Sequence, residues 1–325
     1  MCDDWRPTAP IENIRLRAAL LAKTRQFFAA RDVLEVETPL LSSATVSDPH
    51  LKSFSTRYNG PGLPPDTPLY LQTSPEAAMK RLLAAGSGSI YQICKAFRDG
   101  ESGARHNPEF TMLEWYRVGF DHIALMDEVE ALVQSLLGID SEFERLSYQS
   151  IFERYLGLDP HRASLDELSA CAGESGISVG LDVAAIDRDG WLDLLMSHLI
   201  EPHLGQTVPT FIYDYPASQA ALAKIRAGDP PLAERFELYI TGIELANGYH
   251  ELCDSREFQQ RFESDVLYRK ADGDLVPDIN QRLRAALDAG MPESAGVALG
   301  FDRLLMVATG CGFIADVGIF TVANA

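Results

Sequence analysis

Cysteine is sparse in this sequence and follows no pattern. Five cysteines stand at positions 2, 94, 171, 253 and 311, odd in number and never spaced as Cys-x-x-Cys. This gives neither a paired disulfide framework nor a thiolate zinc motif. Long hydrophobic runs are missing too. No apolar stretch approaches the roughly 20 residues of a membrane span, and the start (Met-Cys-Asp-Asp-Trp-Arg) has no basic region followed by an apolar one. No membrane role is expected, and the cytoplasm is the expected compartment. Positive charge is also short: 28 Lys and Arg against 47 Asp and Glu leave a net charge of −19. The average field therefore repels nucleic acid, although a local cluster of cations stays possible. His198 and His203 flank Glu201 without the His-Glu-x-x-His order of zinc proteases, and are read as surface or core histidines. There is no internal repeat, low-complexity tract or interdomain linker.

What is present is an ordinary globular composition, 46% apolar and 23% charged, in 325 residues. The stretch from Ser89 to Arg117 organises it. Two runs rich in aromatic and branched residues flank a polar connection, the pattern of a long-looped antiparallel hairpin. Alternation puts Cys94, Ala96 and Arg98 on one face, and sets Phe110, Met112, Glu114 and Tyr116 together on the return strand. A guanidinium, a ring, a carboxylate and a phenol can thus converge, and arginine there suits a phosphate. An ordinary half-buried hairpin with solvated charges fits the same pattern.

Along the chain, residues 11–30 have helical spacing and Val33 to Pro39 reads as a short strand ended by proline. Residues 58–68 are dense in turn formers and read as a loop. Leu69 to Thr73 is a strand, and Ser74-Pro-Glu76 a helix start, where Glu76 suits the positive helix end and could serve that alone. Residues 121–137 form a helix between the cap Asp121 and the stop Gly138. Residues 140–205 yield no recognisable chemistry. A strand follows near Pro209, and helices are expected at 256–270 and 279–289. Gly296 onward is strand-like, turning at Gly300 into a helix that ends near Gly310. Between Phe236 and Leu252 stand Glu237, Glu244 and Glu251, with Thr241-Gly242 and Asn247-Gly248 as turn signals. Three clustered carboxylates repel unless a cation neutralises them, whether magnesium or a substrate ammonium. Equally, they could line the solvent face of an edge strand.

Taken together, these stretches resemble the catalytic core of class II aminoacyl-tRNA synthetases, in the lysyl branch. Phe27-Phe28 through Val36-Glu-Thr-Pro39 is similar to the first class signature, Phe97-Arg98 through Glu114 to the second, and Gly296 through Arg303 to the third. Thr73 to Glu76 and Gly242 to Glu251 are similar to the lysine-pocket segments. The resemblance spans nearly the whole chain and implies an α+β fold, a mostly antiparallel sheet flanked by helices, as one catalytic domain over residues 11–325. Two departures refine it. The core begins near residue 11, so no anticodon-binding domain is expected, and Ala298 replaces a glycine on the pocket floor. With Pro216 to Gln219 and Ile243 to Asn247, they resemble the stand-alone synthetase-like family that lysylates elongation factor P.

The resemblance implies roles residue by residue. Arg98 and Arg303 would bind the phosphates of ATP as the catalytic pair, and Phe110 would stack on adenine. Asp99, Gly100, Glu101, Asn107, Leu245 and Gly300 would complete the nucleotide site. The glutamate expected two residues after Arg98 is Gly100, so Glu101 must reach the adenine amino group or that contact is lost. Glu237 and Glu244 would hold Mg2+, Glu244 also contacting the nucleotide. Glu76, Tyr116 and Glu251 would receive the amino groups of (R)-β-lysine or lysine, with Ser74, Pro75, Glu114, Asn247 and Ala298 around them. Activation would form an aminoacyl-adenylate, followed by transfer to a lysine of elongation factor P. A homodimer is implied, through the first signature. A lysine-activating enzyme serving tRNA or a small acceptor is the alternative. The acidic charge opposes tRNA and Arg105 speaks for it. A non-catalytic amino-acid sensor is a third reading, opposed by the two arginines and the acidic pair.

Overall fold

The structure, a computed structural model, describes residues 5–177, 186–273 and 275–325. Helix α1 (Ile11–Ala29) leads into the short strands β1 (Leu34–Glu35) and β2 (Leu41–Ser42). Strands β3 (Ser55–Tyr58) and β4 (Thr67–Leu71) flank the turn-rich loop, and α2 (Glu76–Ala84) follows. The expected hairpin is β5 (Ile90–Phe97) and β6 (Glu109–Val118). Next come α3 (His122–Leu137), β7 (Glu144–Ser147), α4 (Tyr148–Leu156), α5 (Leu165–Glu174) and α6 (Arg188–Leu195). Strands β8 (Thr210–Pro216), β9 (Ile225–Arg226), β10 (Leu232–Ile240) and β11 (Ile243–His250) precede α7 (Ser255–Asp272) and α8 (Gln281–Gly290). Strand β12 (Ser294–Gly300) and α9 (Phe301–Thr309) close the fold.

The main sheet runs β1-β5-β6-β12-β11-β10-β8-β7, with β9 beside β10. It is antiparallel except where β1 meets β5 and β7 meets β8. A small sheet, β2-β4-β3, stands apart from it. Alternation divides the central strands into two surfaces. Leu113, Trp115, Val297, Leu299, Phe236 and Leu238 face a core shared with α1, α3 and α9. Helix α3 fits its expected form: Asp121 accepts from the Ala124 N–H at 2.8 Å, Leu125, Val129, Leu132 and Leu136 are buried, and Gly138 ends it at φ 68°. A second core joins α4, α5 and α6 to β8 and β10. A third packs α2 and α8 against Ile90, Tyr116 and Leu252.

Two expectations need correction. Thr241 and Gly242 do form the β10–β11 turn, both at positive φ (51° and 69°) as a two-residue hairpin requires. Asn247-Gly248 is no turn. Both residues lie inside β11, paired with Glu237 and Phe236 on one side and with Ala298 and Val297 on the other. Glycine serves close packing there, since a Cβ on Gly248 would lie 2.5 Å from the Phe236 ring and 2.9 Å from Val297. The edge-strand reading of the glutamates also fails. Strands β10 and β11 lie inside the sheet, and Glu237 and Glu251 are buried.

Candidate active site

The second surface of the sheet floors a cleft of about 1070 Å³, large enough for a nucleotide and an amino acid together. Register explains its floor. Gln92 pairs with Glu114, Glu114 with Ala298, Ala298 with Asn247 and Asn247 with Glu237, a polar row across five strands. One step along, Tyr116 pairs with Gly296 and Gly296 with Tyr249. A Cβ on Gly296 would meet the Tyr116 ring at 2.3 Å and Glu251 Oε1 at 2.4 Å, so glycine is what lets those two groups meet over β12.

One end of the cleft is basic and aromatic. The hairpin brings Arg98 over Phe110, with the guanidinium carbon 5.1 Å from the ring centre. Arg98 approaches Glu101 at 3.5 Å, and its buried Nε has no hydrogen-bond partner. Arg303, from the first turn of α9, donates to the Glu244 carboxylate at 3.1 Å and to His106 Nε2 at 2.7 Å. Burial and then the Arg303 charge hold His106 below the ordinary histidine value, leaving it neutral and able to accept that bond. Burial would raise the Glu244 carboxyl, but Arg303, joined by the charges of Arg235 and Arg98, outweighs it and holds the group below the ordinary carboxylate value.

The other end is acidic. Glu114 accepts from Ser74 Oγ at 2.9 Å and from the Tyr116 hydroxyl at 2.7 Å. Burial, reinforced by the nearby charge of Glu76, pushes its carboxyl up to about 8. Glu76 and Glu251 are joined by a residue that the sequence reading passed over. The buried Lys80 ammonium lies 2.5 Å from Glu76 and 2.6 Å from Glu251. Burial alone would push this amine down, but the charges of Glu251 and Glu76 outweigh it and hold Lys80 protonated. The spacing from Glu76 to Lys80, one helical turn, was a legible signal. Asn247 donates to Glu237 at 3.0 Å, while its buried Oδ1 has no partner.

Of the expected site residues, Ser74, Pro75, Glu76, Arg98, Glu101, Asn107, Phe110, Glu114, Tyr116, Glu244, Leu245, Asn247, Glu251, Ala298, Gly300 and Arg303 line this one cleft. Asp99 and Gly100 are not on its wall; the Asp99 N–H donates to the Lys52 carbonyl at 2.7 Å, and Gly100 takes φ 84° in the turn. Glu237 shares the face of Asn247 but lines a smaller adjoining cavity, where Arg235, Tyr239 and Asn247 donate to it. A β-bulge between Leu238 and Tyr239 puts Glu244 opposite Tyr239. Without it, strict alternation would set Glu244 and Asn247 on opposite faces. Glu201, which no sequence motif marked, joins this group. Burial and then the charges of Glu237 and Glu244 raise its carboxyl to about 7. Carboxylate oxygens are the hard donors that magnesium takes, and these charges act on one another, but the three do not converge within 4.8 Å of one another.

A family model described as tRNA synthetases class II (D, K and N) matches residues 3–324. A Vibrio vulnificus protein named elongation factor P--(R)-beta-lysine ligase is 54% identical over 320 residues, covering 98% of each chain. Its Vibrio cholerae namesake is 54% identical over 324 residues, covering 99% of each. A Salmonella dublin protein of the same name is 53% identical over 321 residues, covering 99% of this chain and 98% of its own.

Proposed function

The chain belongs to the class II tRNA synthetase family of the D, K and N type, and from that premise we propose that it activates (R)-β-lysine with ATP and transfers it to a lysine of elongation factor P. The observation that carries this reading is one cleft with a guanidinium pair at one end and an acidic pocket at the other. The relatives' name supplies the substrate and acceptor.

The substrate carboxylate attacks the α-phosphorus in line, forming the aminoacyl-adenylate and releasing pyrophosphate. A carboxylate is already a nucleophile, so alignment and charge stabilisation do the work. Arg98, with donors to spare, binds the phosphates from the hairpin side and Arg303 from α9, while Phe110 stacks on adenine. Glu101 is the residue left to reach the adenine amino group. Bound magnesium would be held by Glu244 and Glu237 and would supply charge neutralisation on the phosphates. At the acidic end, Glu114, Glu251 and the unpartnered Asn247 oxygen receive the two substrate ammonium groups. Lys80 cancels one of the charges of Glu76 and Glu251. The pocket therefore carries one net negative charge while Glu114 is protonated and two when it ionises, matching a doubly aminated acid.

The net charge of −19 weighs against tRNA as acceptor. Residues 27–39 are assigned as the contact of a homodimer, on the family resemblance. Labelled (R)-β-lysine, ATP and magnesium, offered elongation factor P and tRNA in parallel, test the acceptor. Label should enter elongation factor P and not tRNA; labelled tRNA with unlabelled factor would refute the assignment.

A further inference from the structure

On the sheet face turned away from the cleft, three side chains from separate elements converge: His122 of α3, Glu234 of β10 and His250 of β11. One potential ligand atom from each lies within 4.8 Å of the other two. Alternation accounts for the side. Arg235, Tyr249 and Glu251 line the cleft, so Glu234 and His250 point to the opposite surface. Asp214 joins them from β8. A β-bulge sets Glu234 and Arg235 against this single residue, whose φ of 59° is left-handed, and bulges re-aim side chains in this way.

An ion-pair network explains part of the cluster. His250 lies 2.6 Å from Glu234 through Nδ1 and 2.9 Å from Glu293 through Nε2. Arg226 holds Asp214 Oδ2 at 2.7 Å and approaches Glu234 at 3.6 Å, and Lys224 pairs with Glu293 at 3.1 Å. His122 joins this network only loosely, through Asp214. It is 4% exposed, and neither its Nδ1 nor Asp214 Oδ1 has a hydrogen-bond partner. Its Nε2 stands 3.8 Å from Asp214 Oδ1. That is too long for a hydrogen bond. It is close to the spacing, about 3.4 Å, of two ligands each roughly 2.0–2.1 Å from a tetrahedral zinc.

We propose that His122, Glu234 and His250, with Asp214 as fourth donor, form a site for a divalent cation of the zinc type. Two imidazoles and two carboxylates suit zinc, whereas magnesium and calcium favour all-oxygen shells. Four protein donors leave no open position, so the ion is structural. It fastens the start of α3 to three neighbouring strands on the face opposite the cleft. Arg226 is 44% exposed and swings into solvent as the ion takes its carboxylates.

The test strips the purified full chain with a chelator and titrates Zn2+ alone, with Co2+ in parallel as a spectroscopic probe. One equivalent per chain is expected, with the visible spectrum of four-coordinate cobalt and no thiolate charge-transfer band. His122→Asn and His250→Gln should each weaken binding at least about tenfold, with pyrophosphate exchange unchanged in His122→Asn. Wild-type uptake below a tenth of an equivalent, a thiolate band, or wild-type cobalt binding by His122→Asn overturns the site. Should His250→Gln fail to fold, His122→Asn decides alone, because it keeps a polar side chain of smaller volume at the first residue of a helix whose Asp121 cap is untouched.

Discussion

Glu114 lies between the Ser74 hydroxyl and the Tyr116 hydroxyl, and burial lifts its carboxyl to about 8. A carboxyl raised on folding favours the folded state fully below its ordinary value of 4.5 and loses that contribution as pH climbs through the raised one. Binding of an ammonium reverses the preference, because the ionised form is then wanted. Affinity for the diamino acid should therefore rise between about pH 6 and pH 8, by at most about tenfold per unit, with proton release. Calorimetry in buffers of different ionisation enthalpy measures it; Glu114→Gln should flatten the dependence, and a flat wild-type profile would contradict the role. Lys80 makes a second prediction at this scale. In Lys80→Met the buried Glu251 and the half-buried Glu76 lose their counter-charge, and about 3–5 kcal/mol of stability should go, read from urea midpoints. Saturating substrate should restore part of it. A neutral substitution would mean that the ion pair contributes nothing.

Among the elements, β10 and β11 separate what the sequence disclosed from what it hid. The turn at Thr241-Gly242, the α3 boundaries and the β5–β6 hairpin were legible because local chemistry decides them: positive φ, an Asp cap, alternation. Asn247-Gly248 misled because the same dipeptide that suits a turn also suits a strand needing a bare backbone, and only the Phe236 ring across the ladder distinguishes the two. Alanine at Gly248 should cost about 1–3 kcal/mol by overpacking. A urea midpoint equal to wild type would contradict that packing. The bulge at Leu238/Tyr239 was equally invisible, yet it decides which face Glu244 presents. Lys80 and Glu201 were missed for different reasons: the first stood in plain helical register with Glu76, while the second is assembled by tertiary contact alone.

For the whole molecule, the sheet divides labour between its faces. One is packed with Trp115, Phe236 and Leu299 against α1, α3 and α9; the other holds the polar row from Gln92 to Glu237. The order of motifs along the chain sufficed to foresee this fold, and most of the residues those motifs named lie along one cleft, since each motif lies on a strand or helix start whose register sets its side chains. Adenylate chemistry in this cleft is tested most directly by isotope exchange between pyrophosphate and ATP driven by (R)-β-lysine. Wild-type exchange should exceed that with the (S) enantiomer or α-lysine, fall on the order of a hundredfold or more in Arg98→Ala, and in Glu251→Gln require more amino acid at unchanged ATP affinity. Exchange in Arg98→Ala at the wild-type rate, or none in wild type with any lysine isomer, would contradict it.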